Sequence, residues 1–458
     1  MRPVWSSVQP FGSNEPKWPA EDSCQRARTA TNLDITGTHI TLVRPLVGAT
    51  EPIGRFRLDS CDTLGALTAT KLYATAVRGT GDLVAGELES FGLRGTRWDS
   101  GGCHFTTETP LAAGMRACLG LRTALRVLWP LATFPATDAD TLYEGAVAVA
   151  WEEVLAKETT FAVHARTSAP PPLAYSPFLA QRMKDAIVDR MRDRAGVRPT
   201  VDRERPDVLA YVHVTDAGKA VVGLDFSGGS LHERGYRTEA GPAPLRETLA
   251  AALVLASGWK AERPLLDPMC GAGTIVLEAA LYALGIAPGL LRGDFGFQRW
   301  PMFGDAAKAE FAKMLEEARA RVRPRVDTAI VGRDRDPEVL AAARANLLRC
   351  PPAVASAVRF EPGDVRQIEA MTPPATIITN PPYGERIGGE GTPVFLRTLG
   401  QRLRTLDGHT AFLLAPADGH AALGMRASWQ RKLMNGPLPV VLARYELGKR
   451  ATLRRPRP

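Results

Sequence analysis

A chain of 458 residues is too long for one hydrophobic core and predicts two or three domains. Hydrophobic residues at 45% and charged residues at 23% exclude wholesale disorder, and no uncharged apolar run reaches the roughly 18 residues of a membrane span or forms a secretory start, which reads as a cytosolic chain with no membrane partner. The six cysteines form no CxxC pair and the seven histidines show no ligand spacing, so neither a disulfide framework nor a metal site is expected, while a net charge of +8 suits a polyanionic partner without identifying one.

Residues 1 to 70 scatter Pro, Gly, Ser and Thr between short apolar runs, and read as a poorly ordered extension or as coding sequence upstream of the true start. From Lys71, KLYATAV reads as a strand, GTGDLVAGELESFG as a loop and helix, GCHFTT as a second strand, and PLAAGMRACLGLRTALRVLWPL as helical spacing. A second small unit follows: the strand FAVHARTS, a helix SPFLAQRMKDAIVDRMRDRAG ended by Gly196, and a hairpin turning at Asp216 to Gly218. Arg182 and Lys184 on that helix, with Arg203 and Arg205 in the loop beyond it, offer an RNA-facing surface; interleaved Asp185, Asp189 and Asp193 leave a solvated helix face as the alternative. LHERGYRTEAGPAP reads as a connection, and from Arg263 onward strands and helices alternate, which implies βαβ units in a mostly parallel sheet with its ligand at the strand ends.

Four strand ends carry the chemistry. In Asp267-Pro-Met-Cys-Gly271-Ala-Gly273-Thr274, the two glycines allow a tight turn and close ligand approach at a helix N-terminus, and Asp267 favours a positively charged ligand such as S-adenosylmethionine over a pyrophosphate. Cys270 has no His or Lys beside it in sequence and reads as packing. Asp334 ends the next strand, where an acidic side chain meets ribose hydroxyls, whereas Asp336 before Pro337 reads as a helix cap. Asp364 is either an acceptor for an adenine amino group or an ordinary turn residue. In Asn380-Pro381-Pro382-Tyr383, a strand runs into a stiff Pro-Pro kink; Asn380 and the Pro381 carbonyl can accept the two hydrogens of an exocyclic base amine while Tyr383 stacks on the base. Such a base must be flipped or single-stranded, and the reaction needs no metal.

DPMCGAGT, NPPYGERI, LHERGYRTEAGPAPLRE and the inserted APGLLRGDFGFQRW together resemble the THUMP-domain methyltransferases, and within them the guanine-N2 methyltransferases of bacterial 23S ribosomal RNA, from about Lys71 to Arg450. The resemblance implies an α/β architecture: a ferredoxin-like subdomain over 71–135, a THUMP RNA-binding domain over 136–235 and a Rossmann-like class I methyltransferase domain over 236–450. It also implies S-adenosylmethionine as cofactor, held by Asp267, Gly271, Gly273, Thr274, Asp334 and Asp364, and as partner 23S rRNA or a pre-ribosomal large-subunit particle. Some family members continue into a second methyltransferase domain, and the end at TLRRPRP predicts a single reaction here. The motif serves adenine N6 as well as guanine N2, and a non-catalytic RNA-binding assembly factor is the rival from another class.

Overall fold

The structure, a computed structural model, describes residues 69–237, 245–382 and 391–448, so the expectation for the first 68 residues lies outside the described part. Strand β1 (Thr70–Ala76), helix α1 (Gly81–Ser90), strands β2 (Arg94–Trp98) and β3 (Gly102–Thr107), helix α2 (Pro110–Gly120) and strand β4 (Ala124–Pro135) come first. Helix α3 (Ala139–Val147), strand β5 (Thr160–Thr167), helix α4 (Ser176–Ala195) and strands β6 (Thr200–Val201), β7 (Val208–Val214) and β8 (Lys219–Asp225) follow. All eight strands join one sheet in the order β2-β3-β1-β4-β8-β7-β5-β6.

Two departures from expectation stand out here. RGTRW is an edge strand, and residues 124–135 are a strand where helical spacing is read from the sequence. Pro130 and Pro135 forbid a helix interior, and Val127 and Trp129 alternate with Arg126 in a two-residue period. Because β4 pairs with β1 on one side and β8 on the other, the two small units share a single sheet. Helix α4 ends as expected, with Gly196 at φ 67.

The second half contains α5 (Glu247–Ala256), β9 (Leu265–Asp267), α6 (Thr274–Ala283), α7 (Asp305–Ala320), β10 (Ile330–Asp334), α8 (Pro337–Leu348), α9 (Pro352–Ala357), β11 (Val358–Pro362) and β12 (Thr376–Thr379). Then come α10 (Gly391–Leu403), β13 (Thr410–Ala415), α11 (Ala417–Ala422), β14 (Trp429–Asn435) and β15 (Leu438–Glu446). The sheet order is β11-β10-β9-β12-β13-β15-β14; β9 to β13 are parallel, and the closing hairpin sets β15 antiparallel to β13. Leu265, Ile330, Ile378 and Phe412 pack on one face, and their neighbours Leu266, Val331, Ile377 and Leu413 on the other, so each short strand is buried on both sides. The chain moves outward from β9 to β11 and returns to β12, which opens a crevice at the carboxyl ends of these strands.

The inserted residues 283–326 pack in an unexpected place. Phe295, Phe297, Trp300 and Phe311 join the core beneath the first sheet, with Phe226 and Trp300 ring centroids 4.6 Å apart. No described helix is long and apolar enough to cross a membrane.

Candidate functional site

The crevice holds a cavity of about 410 Å³, within the roughly 300–1,000 Å³ of small-molecule sites. Asp267, Gly271, Thr274, Asp334, Asp364, Asn380 and Pro382 all line it. The glycine-rich turn and the Asn-Pro-Pro corner, more than a hundred residues apart in sequence, therefore face one space.

Asp267 ends β9 almost fully buried, and burial pushes its carboxyl up to about 7. Its Oδ1 accepts one N–H, from Met269 at 3.2 Å. Burial outweighs the hydrogen bonds that support the charge, so an arriving cation would favour the ionised form.

The two glycines do different work. Gly271 has φ +52 and open space where a side chain would sit, so a ligand can approach its backbone; Gly273 has φ +83 and lies where a Cβ would be 2.5 Å from the Phe360 ring. Gly273 is thus set by packing, although it also begins α6. Asp334 Oδ2 accepts the Gly271 N–H at 3.0 Å and its Oδ1 accepts the Asp336 N–H at 3.1 Å, leaving about two of a carboxylate's four acceptor positions for hydroxyl groups. Asp336 caps α8 through Glu338 N–H at 2.9 Å, as its place before Pro337 predicts.

Asp364 accepts the Arg366 N–H at 2.8 Å and pairs with that residue's guanidinium, which pulls its carboxyl down to about 2. It lines the cavity as an ion-paired turn residue. Asn380 Oδ1 is buried without a hydrogen-bond partner among the described residues, an arrangement that costs about 1–3 kcal/mol unless a ligand donates to it. Pro381 is buried and Pro382 lines the cavity; Tyr383 lies outside the described residues. Burial raises the Cys270 thiol well above its ordinary range, in keeping with a packing role.

Sequence reasoning passed over Arg237 and Asn346. Arg237 Nη2 donates to Thr274 Oγ1 at 2.8 Å and to the Leu245 carbonyl at 2.7 Å, and Asn346 Nδ2 donates to the Ala272 carbonyl at 3.2 Å. Both brace the glycine turn from behind. Arg237 lies in the LHERGYR run, which the sequence marks as a connection and as part of the family resemblance without giving its two arginines a role.

The basic residues of α4 are mostly engaged within the fold. Arg182 pairs with Asp140 at 3.0 Å and lies over the Tyr143 ring, Lys184 pairs with Asp185 at 2.6 Å, and Arg205 lies 3.5 Å from Asp294. Arg203 lies in the loop before β7, far along the chain from the cavity-lining segments. Among the described residues no three of His, Cys, Asp and Glu cluster as metal ligands would.

Three family models match the chain: an RlmL ferredoxin-like domain over residues 71–128, a THUMP domain over 136–225, and an RMKL-like methyltransferase domain over 234–444. The chain is 37% identical over 386 residues to slr0064 of Synechocystis sp., which is named as a candidate RNA methyltransferase; the match covers 83% of this chain and 97% of that one. It is 38% identical to the ribosomal RNA large subunit methyltransferase K/L of Syntrophotalea carbinolica over 83% of its own length and 54% of that protein, so it spans about half of the K/L relatives. A solved structure, SMU.472, described as a candidate methyltransferase complexed with SAH, superposes with a TM-score of 0.73 at 29% identity over 83% of this chain and 98% of that one.

Proposed function

Because the chain belongs to the THUMP-domain methyltransferases with an RMKL-like catalytic domain, we propose that it transfers a methyl group from S-adenosylmethionine to the exocyclic N2 amine of a guanine in large-subunit ribosomal RNA. The observation that carries this reading is the buried Asn380 Oδ1, unpaired among the described residues, sharing a cavity with the buried carboxyl of Asp267. The division into modules of 71–135, 136–235 and 236–450 belongs to the same proposal, and the positions of the three family matches support it.

S-adenosylmethionine supplies an electrophilic methyl group on a positively charged sulfur. The residues present fit such a ligand. Asp267 offers negative charge to its cationic groups, the bare backbone at Gly271 admits close approach, and the spare acceptor positions of Asp334 suit ribose hydroxyls. Asp364, held ionised by Arg366 at the cavity wall, would offer an acceptor to an adenine amine. Thr274, braced by Arg237, keeps the turn in shape.

On the acceptor side, a base amine conjugated to its ring is a weak nucleophile. Asn380 Oδ1 accepting one N–H and the Pro381 carbonyl accepting the other would turn the nitrogen lone pair towards the methyl donor, with Tyr383 stacking on the ring. An acceptor that has no partner among the described residues would gain a hydrogen bond from an arriving amine, which favours a substrate group that donates.

Incubation with labelled cofactor and deproteinised 23S RNA, followed by digestion to nucleosides, tests the proposal. Label should appear in 2-methylguanosine, and Asn380→Ala should lower the rate by about 100-fold or more while cofactor affinity holds. Label in 6-methyladenosine would overturn the guanine assignment, and cofactor binding with no transfer to any RNA would favour the assembly-factor reading.

A further inference from the structure

The eight strands β1 to β8 contain six basic residues and a single acidic one, Asp225. Strand register fixes the direction of each. Arg94 lies opposite Thr106, which faces Lys71; Arg97 lies opposite His104, which faces Tyr73; and Arg126 faces Thr75. Residues two apart on a strand share a face, so all of these project from one side. Leu128 opposite Asp225 carries the face across to β8, where Lys219 is in phase, and the pairs Gly223–Tyr211–His164 and His213–Arg166 continue it to β5.

The opposite side belongs to the core. Leu72, Ala74, Phe105, Val127 and Val212 point there, towards α1 to α4. Of the acids at this face, Asp225 is fully buried and paired with Arg126, and Asp99 in the β2–β3 turn accepts the Tyr73 hydroxyl at 2.9 Å and lies 3.9 Å from His104 at the edge of the face. Lys71, Arg94, Arg97, Arg166 and Lys219 are exposed, with no ion-pair partner among the described residues. This is the reverse of α4, where Arg182, Lys184, Arg190 and Arg192 each have a carboxylate within 3.0 Å.

Flat rings lie between the free cations. Tyr73 and His104 have ring centroids 4.4 Å apart beside Arg97, and the half-buried His164 and His213 flank Arg166, with the buried Tyr211 between their strands contributing no exposed ring. Burial lowers the titration of all three histidines, so near neutral pH they present uncharged rings. From β2 to β5 the sheet order crosses six gaps, roughly 29 Å at about 4.8 Å each. That is room for several nucleotides.

We propose that this open sheet face, rather than the arginine-rich helix α4, is the surface that takes RNA, binding an unpaired segment by phosphate contacts to Lys71, Arg94, Arg97 and Arg166 with bases against the rings between them. Free cations interleaved with aromatic rings fit single-stranded nucleic acid, because every base has a face to stack and every linkage a charge to neutralise. The inference rests on the RNA-methyltransferase reading for its choice of partner. Its test measures binding, so it can fail while methyl transfer stands, or hold while methyl transfer fails.

The experiment is fluorescence anisotropy of the full chain with a labelled oligouridylate and with deproteinised 23S RNA, across a salt series. R94Q/R97Q should weaken binding about tenfold and shrink the salt slope by about 1.4, two phosphates at about 0.7 each. R166Q should give a smaller loss in the same direction, R94K/R97K should restore affinity, and R182Q/K184Q should change it by less than about twofold. Unchanged cofactor binding by calorimetry reports that each variant is folded. Wild-type RNA affinity in R94Q/R97Q, a larger loss in R182Q/K184Q, or better competition by duplex than by single-stranded RNA would each overturn the proposal.

Discussion

Asp267 shows how a single residue can be held ready for a ligand. Burial lifts its carboxyl from 3.8 to about 7, so near neutral pH the folded chain retains a proton that the unfolded chain has lost. The sign follows: this group's contribution to stability is fully present below about pH 4 and is lost as pH rises through about 7. Between pH 5 and 7 that amounts to about 3 kcal/mol, two units at about 1.4 kcal/mol each. Asp267→Asn cannot titrate, so in urea unfolding of the ligand-free protein the stability of the wild type relative to this variant should fall by about 3 kcal/mol from pH 5 to pH 8. A gap of the same size at both pH values would mean that the acid is already ionised in the empty cavity. The same substitution should weaken cofactor binding at pH 8, where the lost charge matters most.

At the level of elements, the glycine turn between β9 and α6 separates packing from binding. Alanine at Gly273 would meet the Phe360 ring and a left-handed backbone together, and should cost about 2–4 kcal/mol of stability. Alanine at Gly271 meets open space, so it should cost only about 1–2 kcal/mol of backbone strain yet lose cofactor affinity, because its methyl group enters the cavity. Thermal unfolding with calorimetric titration reads the two effects separately; equal loss of binding in both variants at equal stability would refute the division. Elements with strong local signals were legible from sequence alone. Helix α4 with its terminal Gly196, the β7–β8 turn, the α8 cap at Asp336 and the alternation from β9 to β13 all stand where local chemistry puts them. The misread elements are those decided by partners distant in sequence: β4 is a strand because β1 and β8 flank it, and β2 is an edge strand with little apolar content. The β14–β15 hairpin did carry a local signal, Asn435-Gly436, with Gly436 at φ +61. Among the proposed site residues, the strand-end carboxylates and glycines were legible, whereas Arg237 and Asn346 act through contacts that only the folded chain creates.

For the molecule as a whole, the inserted segment decides how the two sheets depend on each other. Phe297 follows β9 and α6 in the chain but is fully buried in the core of the first sheet, 5.0 Å from Phe311 and 6.3 Å from Phe226 by ring centroids. Its backbone N–H donates to the Phe226 carbonyl at 3.0 Å, so a segment that follows β9 and α6 completes the core of the first sheet. Two further links act at other points: Arg431 of β14 forks onto Asp82 of α1 with both contacts at 2.6 Å, and the buried Arg234 donates to the Arg122 carbonyl while lying 3.5 Å from Glu278 of α6. Halves joined in this way should unfold together. Calorimetry of the ligand-free protein should give one transition that spans both sheets, and Phe297→Ala should destabilise it by about 3–5 kcal/mol, the usual cost of truncating a buried aromatic. S-adenosylhomocysteine, which should occupy only the catalytic cavity, should raise that same transition in wild type and variant alike. If Phe297→Ala instead splits the trace, with the ligand moving one peak and leaving the other in place, the sheets are independent and the insertion serves only the first; a single shifting peak means that the two sheets form one cooperative body, which a ligand in the crevice of the second stabilises throughout.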